Sequence, residues 1–248
     1  MDFPTIFDLL DRVAFLRGAP AAAVALAAAF VAVVGWDIAL AGRQGGRTRL
    51  SVTVLVFPAL FGLYSVAGLL FVDVLDPRLA VVYVIAGLFV ALILLVTGWQ
   101  TNWGRPPRDL AAEETTRLDP ERWRRVGPLV ITHRALLRLA LAAAALAFAW
   151  WTARVAGPLL PGLPEGVPYL EAAVIGLTGL GLVGLSSSTE ALPAGVGLLV
   201  FLAGFALYYS LVDSSLTMVV ALVVLQLVVA LVASYLAQAR YLPADALD

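Results

Sequence analysis

Residues Leu216 to Ala237, LTMVVALVVLQLVVALVASYLA, run without a charged side chain, and their one amide is Gln226. At a rise of about 1.5 Å per residue, roughly 20 such residues cross the ~30 Å hydrocarbon core of a bilayer. Unpaired backbone amides are too costly in lipid for an open strand, and the stretch lacks the period-two alternation of a barrel strand, so it predicts a transmembrane helix. Moving outward, six more stretches qualify: Ala19 to Ala41, Leu50 to Val72, Leu79 to Thr97, Leu129 to Trp151, Tyr169 to Leu185 and Ala191 to Val212. The expected fold class is all-α, a polytopic integral membrane bundle of seven transmembrane helices.

Composition agrees. Hydrophobic residues make up 62% of the chain, charged residues 13%, and the mean hydropathy is +0.96; soluble proteins sit near 45–50% apolar and about 25% charged. The 16 basic residues are all Arg, and a net charge of −1 gives no sign of a nucleic-acid partner. Without cysteine there is no disulfide, thiolate metal site, iron–sulfur cluster or Cys nucleophile.

Arginine placement sets the expected orientation, because basic loops stay on the cytoplasmic side. With the N-terminus outside, Arg43, Arg47, Arg49, Arg105 to Arg134, Arg138 and Arg240 lie inside, and only Arg12, Arg17, Arg78 and Arg154 lie outside. This implies an N-outside, C-inside, multi-pass protein of the inner (plasma) membrane. Trp36, Trp99, Trp103, Trp150, Trp151, Tyr208 and Tyr209 fall near span ends, where amphipathic rings prefer to sit. Residues 1–18 carry Asp2, Asp8 and Asp11 against Arg12 and Arg17, the wrong charge for a signal peptide, and suggest an amphipathic helix at the interface.

The chain divides once. Three spans (19–97) precede a polar cytoplasmic loop (98–127), and four spans (128–248) follow it. Within the loop, Asp119, Pro120 and Glu121 offer an N-cap, a proline at the first helical position and an acid in the first turn. The surface helix expected there bears Trp123 among Arg122, Arg124 and Arg125, suited to anionic lipid or a partner subunit, before Gly127 and Pro128 turn the chain into span four. Gly157 to Pro168, with four prolines, reads as a stiff outer connector.

Several activities are excluded. Retinal needs a lysine for its Schiff base, and there is none; bis-histidine haem needs more than the single His133. HExxH, GxSxG and GxxxxGK motifs are absent. No cofactor, metal or enzymatic reaction is expected.

Polar groups at membrane depth are the functional candidates, since charge in lipid is expensive. Asp37 follows Trp36 near the inner end of span one, and Arg138 lies one or two turns into span four on the face of Arg134. Asp37, about six residues before Arg43, is expected to pair with Arg43 or reach the interface; Arg138 requires a carboxylate or a wet pocket, for which Asp37 is a candidate partner. Gln226 sits mid-span, where an amide ordinarily bonds a neighbouring helix. Glu171, Glu190 and Asp213 are expected to touch water at span ends. Small residues form packing faces: Gly176, Gly179, Gly181 and Gly184 in span five, and Ala194, Gly197, Phe201, Gly204 and Tyr208 in span six, at spacings that let backbones approach within the bundle or against another subunit.

The run GLTGLGLVGLSSSTEALPAGVGLLVFLAGFALYYSLVDSSLTMVVALVVLQLVVALVASYLAQAR, within Ala172 to Arg240, resembles the small three-span K-type subunit of the respiratory complex I membrane arm. That subunit has counterparts in membrane-bound hydrogenases and multisubunit cation/proton antiporters. The shared features are three spans, a short polar inner turn, a glycine-bearing second span, a short outer turn and a terminal Arg. The family carries a buried glutamate in each of its second and third spans, as part of a proton path; the aligned positions here are Leu199 and Gln226, neither of which titrates near neutral pH. The resemblance therefore implies a derived copy with a structural role, similar to hydrogenase-type versions with extra N-terminal helices.

Two readings follow. One is a non-catalytic subunit packing against other membrane subunits of an energy-converting or ion-translocating complex. The other is a self-contained small transporter or channel working through Asp37, Arg138 and Gln226, with a wet cavity among spans one, four and seven.

Overall fold

The computed structural model describes residues 18–40, 50–51, 53–72, 77–100, 124–126, 129–131, 133–156, 160–161, 167–188, 190–212 and 215–239. Among them are seven helices: α1 (Ala19–Val34), α2 (Thr53–Val72), α3 (Pro77–Gln100), α4 (His133–Trp151, continued by a π-helical turn Thr152–Ala156), α5 (Pro168–Ser187), α6 (Ala191–Val212) and α7 (Leu216–Ala239). Five, α3 to α7, contain stretches long and apolar enough to cross a membrane; α1 and the apolar stretch Val56–Phe71 of α2 are shorter. This is a helical membrane protein.

Neighbour relations give the arrangement. α1 packs on α2 and α5, α2 on α3, α3 on α7, α7 on α6, and α6 on α5, which closes a ring of six helices. α4 stands outside the ring against α5 and, more lightly, α1. α6 also reaches across to α1 and α2 and is the most enclosed of the five long helices, with 61% of its apolar window buried against 28% for α4 and for α7. α4 and α7 thus keep wide apolar faces outward, as a lipid solvent permits.

The tightest seam is between α5 and α6. A methyl group built on Gly197 would lie 2.7 Å from the carbonyl carbon of Gly184, one on Gly181 would lie 2.5 Å from Phe201 Cα, and one on Gly204 would lie 2.8 Å from Thr178 N. The pairs Gly184/Gly197, Gly181/Phe201 and Thr178/Gly204 run in opposite sequence order, so the two helices are antiparallel and touch backbone to backbone. The other two glycines of span five face elsewhere: Gly176 meets Leu26 of α1 and Ala149 of α4, and Gly179 meets Ala145 of α4. α5 is consequently gripped from three sides.

Three of the predicted spans shift at the ends that meet the connections between α1 and α2 and between α3 and α4. Span one stops at Val34 rather than Ala41: Gly35 caps α1 with its N–H on the Val31 carbonyl, and Trp36 reaches back to donate its ring N–H to Ala32 O at 2.7 Å, satisfying carbonyls the helix end would leave open. Residues Gly35–Asp37 form a 3-10 turn, and the chain then extends. Four short antiparallel strands, β1 (Ile38–Leu40), β2 (Leu50–Ser51), β3 (Arg124–Val126) and β4 (Leu129–Ile131), make a sheet in the order β2-β1-β4-β3. Register pairs Ala39 with Ser51 and with Val130, and Arg125 with Val130. Spans two and four, expected from Leu50 and Leu129, therefore begin as helices only at Thr53 and His133.

The surface helix expected to include Arg124 and Arg125 is a strand at those residues, because Val126, Val130 and Ile131 favour extended backbone and Ile38–Leu40 supplies a paired edge. Residues 120–123 of that expected helix, and residues 1–17 of the expected N-terminal one, lie outside the described residues. Gly18, at φ 73, turns the chain into α1 ahead of Pro20, in the left-handed region that glycine tolerates.

The α5–α6 contact predicts a sharp asymmetry among glycine substitutions. Gly181→Val forces side chain into Phe201 backbone and is expected to cost about 1–3 kcal/mol. Gly62→Ala in α2, with nothing within 4 Å of the added methyl, is expected to be neutral or to stabilise by up to about 1 kcal/mol through helix propensity. Reversible unfolding in mixed micelles compares the two.

Candidate functional site

Gln226 is 1% exposed in α7, and its side-chain amide donates to the Tyr83 hydroxyl of α3 at 2.8 Å. Tyr83 is held by aromatic neighbours on α2. Its ring centroid lies 4.2 Å from Phe71 and 6.4 Å from Tyr64. Tyr64 in turn lies flat against Gly87 of α3, where an added methyl would fall 2.5 Å from the ring's Cγ, so only a glycine admits that ring. The Tyr64 hydroxyl is buried with no hydrogen-bond partner among the described residues. Near the far ends of the same two helices, Gln238 donates to Gln100 Oε1 at 2.9 Å on the exposed surface. The two amide contacts occur in the same sequence order, so α3 and α7 run parallel.

A second polar cluster joins α4 to α5. Arg138, 4% exposed, donates from Nε to Ser187 Oγ at 2.8 Å and from Nη2 to the Ser187 carbonyl at 2.9 Å, with a longer contact from Nη2 to Ser188 Oγ at 3.5 Å. The two serine hydroxyls donate to the carbonyls of Val183 and Gly184. Arg138 is thus seated on the C-terminal end of α5, where unsatisfied carbonyls and the helix dipole both favour a cation. The expectation named a carboxylate or a wet pocket for this guanidinium, and the structure adds hydroxyl and carbonyl acceptors from a helix end.

The remaining candidates are scattered. Asp37 closes the 3-10 turn after α1, and its side chain lies outside the described residues, as do those of His133 and Arg134 and all of Asp213. Glu171, expected at water, is 5% exposed in the first turn of α5, because α1, α4 and α6 enclose that helix along its length. An acid there suits the positive end of the helix dipole. Glu190 is half-buried, and its carbonyl accepts from Ala194 N at 3.1 Å to start α6. Leu199 is fully buried in the apolar core.

Gln226 and Arg138 engage different helices, α3 and the end of α5, and share no partner residue. Sequence reasoning missed their partners, Tyr83, Ser187 and Ser188. A tyrosine inside an apolar span is a usable signal, since its buried hydroxyl needs a mate. Serine and threonine gave little, because most simply return a hydrogen bond to their own helix, as Ser210 does to Ala206 O and Thr178 to Val174 O, each at 2.7 Å. Among the described residues no group of three or more His, Cys, Asp or Glu side chains is placed to hold a metal ion.

No protein-family model, curated protein or solved structure matches this chain.

The two polar contacts should differ in weight. A double-mutant cycle of Gln226→Leu with Tyr83→Phe is expected to give a coupling of about 0.6 kcal/mol, within the ceiling of roughly 1.7 kcal/mol for such bonds between membrane helices. Arg138→Met is expected to cost about 1–3 kcal/mol by leaving hydroxyls and a carbonyl unmatched. Arg138→Lys should rescue little, since an ammonium cannot reproduce the Nε and Nη2 fork.

Proposed function

We propose that this chain is a non-catalytic integral membrane subunit that packs against partner subunits of an energy-converting or ion-translocating complex, crossing the inner membrane seven times with its N-terminus outside. The observation that carries this reading is the chemistry of the mid-bundle polar pair. Gln226 and Tyr83 are neutral, buried and bonded to one another across α7 and α3, so the interior offers an interhelical tie where a translocating protein needs a titratable or hydrated group. Leu199, the other position aligned with a glutamate of K-type subunits, is packed in apolar core. A helix triplet α5–α7 retaining the family's course without its glutamates fits a member that holds partners in place.

Arg138 supports the same reading. Ser187 and Ser188, which accept from it, belong to the end of a neighbouring helix, and a buried guanidinium bonded to such an end suits a tie between helices. The outward apolar faces of α4 and α7 supply surface that either lipid or partner helices can cover, among them Leu137, Leu141, Val220, Val224, Val228 and Leu231.

Isolation of the tagged full chain from its native membrane in mild detergent tests the proposal. The expected result is stoichiometric co-purification of other membrane proteins, among them antiporter-like or redox subunits. Recovery of a lone, monodisperse protein that catalyses ion flux in vesicles, with that flux lost in Asp37→Asn, establishes the self-contained transporter instead.

A further inference from the structure

At the end of α4 remote from Arg138, five side chains make a surface that the packing of the bundle does not use. Arg154 lies over the Trp150 ring, its guanidinium carbon 4.3 Å from the ring centroid. Trp150 is 61% exposed, and no hydrogen-bond acceptor or carboxylate among the described residues engages Arg154. Alongside, Phe148 and Trp151 form a second exposed aromatic pair, with centroids 6.0 Å apart and planes inclined by 33°, and Val155 is exposed beyond them.

Arg154 lies near the end of the apolar helical stretch Ala135–Val155, which is long enough to cross a bilayer, so its level is that of a span end, where hydrocarbon gives way to headgroups. The π-helical turn Thr152–Ala156 begins in this patch; its first residue, Thr152, is buried and bonded back to Ala149 O at 2.9 Å, which anchors the turn inward while Arg154 and Val155 are directed outward.

We infer that Phe148, Trp150, Trp151, Arg154 and Val155 form a binding site for a single phospholipid, with its phosphodiester held by Arg154 and its acyl chain laid along the aromatic and aliphatic surface. Guanidinium N–H groups suit a phosphate bidentately, and the indole beneath holds the cation in place without consuming its donors. An aromatic surface extending toward the membrane interior matches acyl chain rather than a free anion. The site is separate from the Arg138 and Gln226 contacts and does not depend on the subunit reading.

The full chain in detergent, titrated by native mass spectrometry with dioleoyl phosphatidylglycerol, dioleoylglycerol or inorganic phosphate, tests this. Wild type is expected to retain one phosphatidylglycerol in clear preference to dioleoylglycerol, which has the same chains and no phosphate, and inorganic phosphate at equal concentration should not displace it. Arg154→Gln is expected to weaken retention by roughly five-fold, the value of one cation at a phosphate surface, Trp150→Leu to weaken it also, and Arg154→Lys to fall between. Equal retention of the two lipids by wild type overturns the proposal, as does unchanged retention in Arg154→Gln. Displacement by inorganic phosphate overturns the lipid assignment in favour of a free-anion site. The wild-type comparison of the two lipids decides the matter even where a variant does not fold.

Discussion

Gly184 against Gly197 is the contact on which the arrangement of this bundle depends. Two helices in lipid gain nothing from burying leucine against leucine, since the solvent is as apolar as the side chain; they gain from close approach, where many dispersion contacts form at once. Glycine on both sides of the seam, with Gly181 and Gly204 extending it, brings α5 and α6 into backbone contact. Three residues, Ser188 to Glu190, separate the two helices, so the contact is also local in sequence. With α6 drawn in, its other sides face α7 across Gly195, where an added methyl would overlap Ala233, and the α1–α2 pair across the middle of the ring. α5 is left holding α1 and α4 on its outer flanks, and the end of α5 becomes the place where a cation from α4 can be satisfied.

Much of this frame is legible in the sequence. Five of the expected spans meet the criteria for a crossing, and the glycine spacing in residues 176–204 marked the surfaces that touch. Illegible parts share one cause, the dependence of a short apolar run on a distant partner. Ile38–Leu40 and Leu129–Ile131 are equally good as ends of apolar helices and as strands; what decides is that they pair with each other across the stretch that holds α2 and α3, and no local pattern records that. Tyr83 was likewise just one aromatic in an apolar run until α3 was placed parallel to α7. Glu171 was misjudged because proximity to a span end says nothing about how many helices surround it.

Polar groups in the bundle are matched by type to what each site can offer. Mid-span, where water is remote, an amide meets a phenol, and both are neutral, so the cost of burial is the modest one of dipoles bonded to each other. At the end of a helix, where carbonyls are left over by geometry, a full cation is accommodated because the acceptors exist whether or not the cation comes. The same side chains exchanged would fail: a guanidinium at the depth of Gln226 would find one hydroxyl, and a glutamine at 138 could supply only part of the donor set that Arg138 delivers to Ser187 and Ser188.

The sheet gives this division of labour a spatial logic. β1 starts four residues after the end of α1, β2 ends two residues before α2, and β4 ends two residues before α4, so the strands are confined to one end of the bundle by chain length alone. Pairing of β1 with β4 ties the connection between α1 and α2 to the connection between α3 and α4, the two segments that carry most of the arginines. Arg138 enters the bundle close to that same end, near the start of α4, whereas Arg154 and its exposed aromatic neighbours occupy the opposite end. A buried cation answered by protein acceptors at one boundary and an exposed cation stacked on indole at the other place α4 differently at its two ends. Both ends rest on α5, the first through the Arg138 hydrogen bonds and the second through buried Ala149 and Thr152, while Arg154 and the aromatic rings beside it face outward.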